Sequence, residues 1–232
     1  MNENKLKEIK EDALKRHIPI IMDDTLEVID KILIQEKPEK ILEIGTAVGY
    51  SALCFSKYLS ENGKIDTIER ESDKVKEAKE NIKLVEVENK INIIEGDAVE
   101  ILPNLNDEYD IIFIDAAKGK YPLFLKESMR LIKNNGIILA DNILYKGYVM
   151  SDYNKHKQRT AVRNLREYIK EVTENPKIET EILEVGDGLA ISRICEWSCQ
   201  LGRGVSMGTG LIDTSRPNWQ LKGGKRWKKL NC

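Results

Sequence analysis

The sequence predicts an α/β fold built on a mostly parallel sheet with crossover helices, and two observations indicate it. From residue 40 to residue 194, short apolar runs alternate with longer segments of helical periodicity, which is the pattern of strands joined by helices. The last two runs, 177–183 and 189–194, are separated by a short turn that contains two glycines. They are therefore expected to form an antiparallel hairpin at one edge of the sheet.

The other elements follow from the same periodicities. Strands are expected at residues 40–44, 64–69, 91–95, 110–115 and 136–140. Helices are expected near 50–60, 73–86, 97–102, 120–133 and 155–174, with Ser72 or Asp73 as an N-cap and with Pro103 and Gly136 as stops. Two amphipathic helices, at 3–16 and 24–36, precede the sheet and are expected to cap one side of a site or to build a dimer face.

Length and composition fit one folded domain with appendages. The chain has 232 residues, of which 41% are hydrophobic and 33% charged, so it can bury one core without a second domain. No apolar run approaches the ~18 residues that a membrane span requires, and the first residues are charged, unlike a signal peptide. The cysteines show neither a disulfide framework nor zinc-ligand spacing. We therefore expect a cytoplasmic protein with reduced thiols.

The C-terminal segment, residues 195–232, has a different character from the rest of the chain. It is basic and rich in glycine, shows little apolar periodicity, and contains all three tryptophans. It is interpreted as a disordered extension, as a basic arm for nucleic acid, or as residues that are not native to the protein. We accordingly divide the chain into N-terminal helices at 1–39, an α/β domain at 40–194, and a tail outside the fold.

Open α/β sheets bind ligands at the carboxyl ends of their strands, and the first of these ends is a glycine turn. Gly45 and Gly49 allow the backbone to approach a ligand closely before a helix begins. Their spacing is neither the GxGxxG of dinucleotide sites nor that of a phosphate loop. Glu43, beside the turn, can hold an ammonium, which suits the amino acid part of S-adenosylmethionine. The alternative is a tight strand-to-helix turn without a ligand.

The next two strand ends also carry acidic residues. Glu69 can accept both hydroxyls of a ribose, and Gly96, Asp97 and Ala98 form a turn that can meet an adenine edge. Each has a simpler alternative: a solvated strand end for Glu69, and a helix cap for Asp97. A glycine turn, a ribose acid and an adenine acid on consecutive strands favour a cofactor that contains a nucleoside.

The fourth and fifth strands end in oxygen-bearing side chains. Asp115 follows one buried run, and Asp141 and Asn142 follow the next. Carboxylates at such positions are costly to desolvate without a cation or hydrogen-bond donors, and two carboxylates with one amide suit Mg²⁺ or another hard divalent ion. The alternative for Asp141 and Asn142 is a turn or cap. Lys118 is close enough in sequence to act as a base, or it is an exposed lysine at a helix start.

Six segments together resemble the cation-dependent O-methyltransferases of the caffeoyl-CoA and catechol type. They are LEIGTAVGYSAL, TIER, EGDA, FIDAAKGKY, ILADNILYKG and VGDGLAISR, which occur in this order within about residues 18–194. The resemblance implies a Rossmann-like, seven-stranded S-adenosylmethionine-dependent methyltransferase fold, usually in a homodimer. Together with the positions above, the resemblance implies three sets of site residues. The expected cofactor contacts are Met22, Glu43, Gly45, Thr46, Gly49, Ser51, Glu69, Gly96, Asp97, Ala98 and Asp115. The expected metal ligands are Asp115, Asp141 and Asn142, and the expected catalytic residues are Lys118 and Asp115.

Two departures bear on the substrate. Plant members of this family carry a second acid where this chain has Ala117, and a Trp-Asn pair where it has Tyr145 and Lys146. The chain looks closer to a bacterial branch that methylates 5-hydroxyuridine at the wobble position of tRNA. The basic residues in 146–170 agree with a tRNA anticodon loop as partner, although a solvated helix face explains them almost as well. A small catechol-like substrate is the alternative, and a non-catalytic nucleotide-binding module is a third, against which the expected metal ligands argue.

Overall fold

A computed structural model of the protein describes residues 1–152 and 158–195, and its centre is one sheet. Within the described residues the sheet has seven strands in the order β3-β2-β1-β4-β5-β7-β6. They are β1 Lys40–Ile44, β2 Lys64–Glu69, β3 Ile91–Glu95, β4 Tyr109–Ile114, β5 Ile132–Ala140, β6 Ile178–Leu183 and β7 Leu189–Ile194. The first five are parallel to one another, and β7 is antiparallel to both β5 and β6. The predicted fold class and the C-terminal hairpin are thus confirmed. The predicted tail lies, from residue 196 onward, outside the described residues.

Helices join these strands as the periodicity predicts. They are α1 Glu3–Lys15, α2 Asp23–Glu36, α3 Tyr50–Phe55, α4 Ser72–Val85, α5 Ala98–Ile101, α6 Tyr121–Leu131 and α7 Arg159–Glu174. Short 3-10 turns follow α5 at Leu102–Asn104 and precede α6 at Lys118–Lys120. The third helix is shorter than expected and ends at Phe55. None of the helices in the described part of the chain is long and apolar enough to cross a membrane.

Of the predicted stop signals, Pro103 is confirmed, because α5 ends at Ile101 and the proline lies in the 3-10 turn that follows, where its missing N–H is tolerated. Two other boundary signals are wrong, each for a local reason. Gly136 does not stop a helix, because α6 already ends at Leu131 and the glycine lies inside β5. The N-cap of α4 is Glu71, without a side-chain hydrogen bond, because the hydroxyl of Ser72 donates to Glu95 Oε1 at 2.5 Å.

The two faces of the sheet bury separate apolar clusters. Successive side chains of a strand point to opposite faces, so Ile41 packs with the cluster that includes α1 to α4, whereas Leu42 and Ile44 pack with α6 and α7. Each fully buried Leu or Ile contributes about 1.5–3 kcal/mol relative to exposure. Because β1 and β4 lie at the centre of the sheet, helices on both faces fix their carboxyl ends.

The N-terminal helices are tied to the sheet and to the hairpin. Glu36, at the end of α2, accepts from Arg193 of β7 at 2.6 Å. Asp24, at the start of α2, accepts the backbone N–H of Gly186 in the hairpin turn at 2.7 Å. A side chain at Gly186 would place its Cβ 2.3 Å from Thr25 Oγ1, so the turn requires glycine here. Helix α2 therefore packs against the same edge of the sheet as the turn between β6 and β7.

Candidate active site

The carboxyl ends of β1, β4 and β5 lie side by side. The N–H of Asp115 donates to Ile44 O and that of Asp141 to Ile114 O, both at 3.0 Å. Gly45 has φ +106°, and a Cβ there would lie 2.2 Å from the backbone oxygen of Asp115. Only glycine permits this approach. The structure thus brings together the glycine turn and the first of the expected metal ligands.

Glu43 is a buried carboxylate held by hydroxyl groups. Its side chain has no solvent exposure, Ser51 Oγ donates to Oε1, and Thr67 Oγ1 donates to Oε2 at 2.5 Å. Burial raises the pKa of Glu43 to about 7, the two hydroxyls oppose that rise, and the charges of Asp115 and Glu69 add to it. Ser51 is partly exposed, so a ligand reaches this group from the side of Ser51.

The loop after β1 is shaped by its backbone. Gly49 has φ +84° and caps α3, and its N–H donates to Thr46 O at 2.8 Å. Ala47 is left-handed too, at φ +47°, a conformation that costs a non-glycine residue about 1–2 kcal/mol. Thr46 is nearly buried, and its hydroxyl contacts Thr67 Oγ1 at 2.6 Å. The Thr46 side chain therefore points into the protein, and it is the backbone of this loop that is presented to a ligand.

Glu69 organises the turns around it. Its Oε2 accepts the N–H of Ala47 at 2.8 Å, and its Oε1 accepts those of Arg70 and Glu71 at 2.9 and 3.0 Å. A carboxylate has about four acceptor positions, so three are occupied by backbone groups. One position remains for a ligand hydroxyl, and the other bonds explain why this strand end is ordered.

The expected adenine turn and Met22 have simpler environments. Asp97 caps α5 by accepting the N–H of Val99 at 2.9 Å, as its alternative interpretation predicts. Gly96 has φ +146° and donates to Glu69 O at 2.8 Å, which brings this turn beside the ribose acid, and Ala98 begins α5 partly buried. Met22 is half exposed at the N-cap of α2, next to the position that a Cβ at Gly186 would occupy.

The polar groups at the ends of β4 and β5 form one cluster. Lys118 Nζ donates to Asp115 Oδ1 at 2.9 Å and to Asn142 Oδ1 at 2.8 Å. Asp141 is almost fully buried and accepts the N–H of Asn142 at 2.7 Å. Burial, followed by the charge of Asp115, raises the pKa of Asp141 to about 7. Tyr121 supports the cluster from below by donating its hydroxyl to the backbone oxygen of Asp141 at 2.7 Å.

This cluster fits a hard divalent cation by its donor chemistry. No group of three or more His, Cys, Asp or Glu side chains forms a metal site in residues 1–152 and 158–195, so an ion here depends on the amide oxygen of Asn142. Asp115 and Asp141 supply the carboxylates. A metal cation beside Lys118 would offset the free-energy cost of burying the charge of Asp141. Two carboxylates and one amide leave coordination positions for water or substrate, as Mg²⁺ prefers.

The turn between β6 and β7 supports the loop that carries Asn142, and sequence reasoning missed this role. Asn142, Tyr145 and Lys146 are left-handed, at φ +56°, +47° and +56°. Asp187, in the turn, holds this loop by two hydrogen bonds. Its backbone oxygen accepts the N–H of Leu144 at 2.9 Å, and its side chain accepts the N–H of Lys146 at 2.6 Å. The glycine at 188 of the VGDG segment was the available signal, because a Cβ there would lie 2.4 Å from Leu144 Cγ.

The basic residues near the site divide into two groups. Helix α7 buries one face and exposes a stripe at spacings of four, three and four residues, made of Arg159, Arg163, Arg166 and Lys170. Arg166, however, donates to the backbone oxygens of Val149 at 3.0 Å, Tyr148 at 3.3 Å and Ser151. Arg166 is therefore engaged by the 148–151 loop, unlike the basic residue of a free phosphate-binding surface. Two further lysines of the basic stretch, at 155 and 157, lie outside the described residues.

The start of α7 lies beside the cluster. Asn164 Nδ2 donates to the backbone oxygen of Gly119 at 2.5 Å, in the 3-10 turn that begins with Lys118. A Cβ at Gly119 would contact Thr160. Arg159 and Arg163 each precede one of these two residues in the helix, and both are exposed.

Comparisons with known proteins show which proteins the chain resembles in sequence and in fold. A family model described as O-methyltransferase matches residues 2–195. The catechol O-methyltransferase of Niastella koreensis is 31% identical over 163 residues, which are 66% of this chain and 72% of that protein. A putative caffeoyl-CoA O-methyltransferase from Staphylococcus aureus is 35% identical, with a TM-score of 0.76 over 82% of this chain and 91% of its own. The SAH-bound methyltransferase of Podospora anserina is 27% identical, with a TM-score of 0.74 over 83% and 88%.

Proposed function

The chain belongs to the O-methyltransferase family and is an S-adenosylmethionine-dependent O-methyltransferase, and we propose that it methylates a hydroxyl that neighbours a second oxygen on its substrate, with a divalent cation. One observation carries the proposal. Lys118 Nζ, Asp115 Oδ1 and Asn142 Oδ1 are within hydrogen-bond distance beside the Gly45 turn. A lysine amine, oxygen atoms that suit a cation and the glycine turn proposed to hold the cofactor thus lie at one edge of the sheet.

The cofactor is proposed to lie along the ends of β1, β2 and β3. Glu43 and Ser51 face the amino acid part, Glu69 offers its remaining acceptor position to the ribose, and the turn at 96–98 borders the adenine. When bound, S-adenosylmethionine supplies a methyl group on a positively charged sulfur. A negative charge on Glu43 would favour binding of the ammonium group.

The chain's own groups then prepare the substrate hydroxyl. Asp115, Asp141 and Asn142 would hold the cation, which when bound lowers the pKa of a hydroxyl and orients two adjacent oxygens. Lys118 stands beside these ligands. After its ammonium gives up a proton to solvent, the neutral amine would accept the hydroxyl proton. Because these groups lie at the ends of packed strands, they hold the substrate hydroxyl and the methyl donor in a fixed relative orientation, which reduces the entropic cost of the reaction.

For the substrate, we favour 5-hydroxyuridine at the wobble position of tRNA. Its hydroxyl neighbours the O4 carbonyl, and a base in a single-stranded loop can be splayed into a pocket at modest cost. Arg159 and Arg163 are exposed beside the turn that carries Lys118, where phosphates of an anticodon loop would pass. Lys120, also exposed, extends this positive surface.

A small catechol-like molecule is the second candidate. The named activities of the Niastella koreensis and Staphylococcus aureus relatives favour it. Such a molecule presents the same pair of oxygens and needs no basic surface. The two candidates therefore share one reaction and differ in what binds outside the pocket.

Nucleoside mass spectrometry separates the candidates. We expect tRNA from cells that lack the gene to lose 5-methoxyuridine and accumulate 5-hydroxyuridine, and the purified protein to restore the methyl group in the presence of S-adenosylmethionine and Mg²⁺. Unchanged tRNA, with turnover of a catechol in vitro, would select the second candidate. Failure with both substrates would refute the proposed chemistry. We further propose a homodimer, for which light scattering of the purified protein is the test.

A further inference from the structure

Thr67, to which the sequence analysis assigned no role, supplies the second hydroxyl at the buried carboxylate of Glu43. It lies in β2, is fully buried, and donates to Glu43 Oε2 at 2.5 Å. Ser51, at the start of α3, donates to the other oxygen. Each carboxylate oxygen is thus held by a different element, one in the sheet and one in the helix that follows the glycine turn.

The hydroxyls form a directed chain. A threonine has a single hydroxyl proton, and that of Thr67 is used in the bond to Glu43. In the 2.6 Å contact between Thr46 Oγ1 and Thr67 Oγ1, Thr46 must therefore be the donor. Donation from Thr46 polarises the Thr67 hydroxyl and strengthens its bond to Glu43. The chain thus ends at the carboxyl group of Glu43.

The surroundings of Glu43 make this support necessary. Burial raises the pKa of Glu43, and the negative charges of Asp115, after β4, and Glu69, at the end of β2, raise it further. Only the hydroxyls of Ser51 and Thr67 act in the opposite sense among the causes that dominate the shift. Loss of Thr67 would remove one of these two donors from a group with no access to water.

We infer that Thr67 is a positioning residue for cofactor binding, which anchors Oε2 of Glu43 in the sheet so that Oε1 and Ser51 face the amino acid part of S-adenosylmethionine. The inference rests on the proposed cofactor site. Ser51 is partly exposed, whereas Glu43 is closed off, so the ammonium approaches from the Ser51 side. Without the Thr67 hydroxyl, Ser51 is the remaining side chain whose hydrogen bond resists rotation of the carboxylate about its terminal bond.

Calorimetry with two ligands tests this inference. S-adenosylhomocysteine carries the amino acid part, and 5′-methylthioadenosine has the same nucleoside without it. For Thr67→Val, which keeps shape and β propensity but removes the hydroxyl, we expect S-adenosylhomocysteine to bind about tenfold more weakly. Binding of 5′-methylthioadenosine should stay within about twofold, because it makes no contact with Glu43 or Ser51. Thr67→Ser restores the hydroxyl and should recover most of the affinity.

A control variant separates the hydroxyl's role from its burial. Ser128, in α6 on the opposite face of the sheet, is also fully buried, and its hydroxyl has no hydrogen-bond partner within the described residues. Ser128→Ala should leave both affinities unchanged. If Thr67→Val does not fold, Thr67→Ala, whose smaller side chain cannot clash, provides the same comparison of the two ligands.

Each outcome bears on a different statement. Selective weakening of S-adenosylhomocysteine, with recovery in Thr67→Ser, supports the positioning role. Equal weakening of both ligands, or no weakening of either, overturns it, because a purely structural threonine would not distinguish them. Failure of the unaltered protein to bind S-adenosylhomocysteine would instead overturn the proposed cofactor site itself.

Discussion

Two glycines of the active-site region provide a matched pair of substitutions. Gly147, in the loop after β5, and Gly188, in the hairpin turn, are both left-handed, at φ +74° and +93°. A Cβ at Gly188 would lie 2.4 Å from Leu144 Cγ, whereas a Cβ at Gly147 would meet no heavy atom of the described residues within 4 Å. Substitution by alanine therefore imposes backbone strain at both positions but a steric clash at Gly188 alone.

The magnitudes follow from these two terms. Alanine in a left-handed conformation costs about 1–2 kcal/mol, and overpacking a fitted contact costs about 1–3 kcal/mol more. In a protein of this size 1 kcal/mol lowers the melting temperature by roughly 2–4 °C. We expect Gly147→Ala to lower it by about 2–8 °C, and Gly188→Ala by about 4–20 °C, with the second always the larger because it adds the clash to the same strain.

The same comparison reports on catalysis. Leu144 is two residues from Asn142, so a clash at Gly188 should displace the loop that carries this proposed ligand and weaken binding of Mg²⁺. Thermal denaturation and a Mg²⁺ titration of methyl transfer, measured on both variants and the unaltered protein, test this. Equal shifts in melting temperature, or an unchanged Mg²⁺ requirement in Gly188→Ala despite lower stability, would refute the idea that the hairpin turn positions the metal loop.

Four further variants test charged residues in and around the site. Asp141→Asn keeps the side-chain volume but should lower turnover about a hundredfold or more, while S-adenosylhomocysteine affinity stays within a few fold; full activity in excess chelator would contradict the metal assignment. The double variant Arg159→Glu with Arg163→Glu should strongly reduce the rate of tRNA methylation but leave the rate with a free catechol unchanged. Arg166→Ala should instead lower the melting temperature and both rates, because Arg166 holds the 148–151 loop. Equal losses on both substrates in the double variant would contradict a tRNA-binding role for Arg159 and Arg163. The pKa of Glu43 is about 7 in the folded protein and 4.5 in the unfolded chain, so the folded state loses stability as pH rises between these values. Glu43→Gln should therefore raise the melting temperature at pH 8 more than at pH 5. A difference in melting temperature that does not depend on pH would contradict the raised pKa of Glu43.

The order and type of the structural elements could be predicted from local pattern alone. Strands β1 and β4, which are parallel and buried, consist mostly of apolar residues. Helix α7 repeats its apolar residues at helical spacing. The polar residues that follow such runs, Asp115 and Asp141, could be assigned to one edge of the sheet because parallel strands share their direction. Helix ends were less predictable, since tertiary partners such as Glu95 compete for the capping side chain of Ser72.

What the sequence by itself determined is therefore the fold class, the positions of the strand ends and the candidate residues at them, because periodicity and chain order are local properties. Only the tertiary structure decided how those residues are used. Thr67 supports Glu43 across 24 positions, Arg166 closes a loop instead of facing a ligand, and Gly188 packs on Leu144. The physical reason is that a hydrogen bond or a steric contact depends on the relative placement of segments distant in sequence, and this placement follows from packing of the whole core rather than from any one segment.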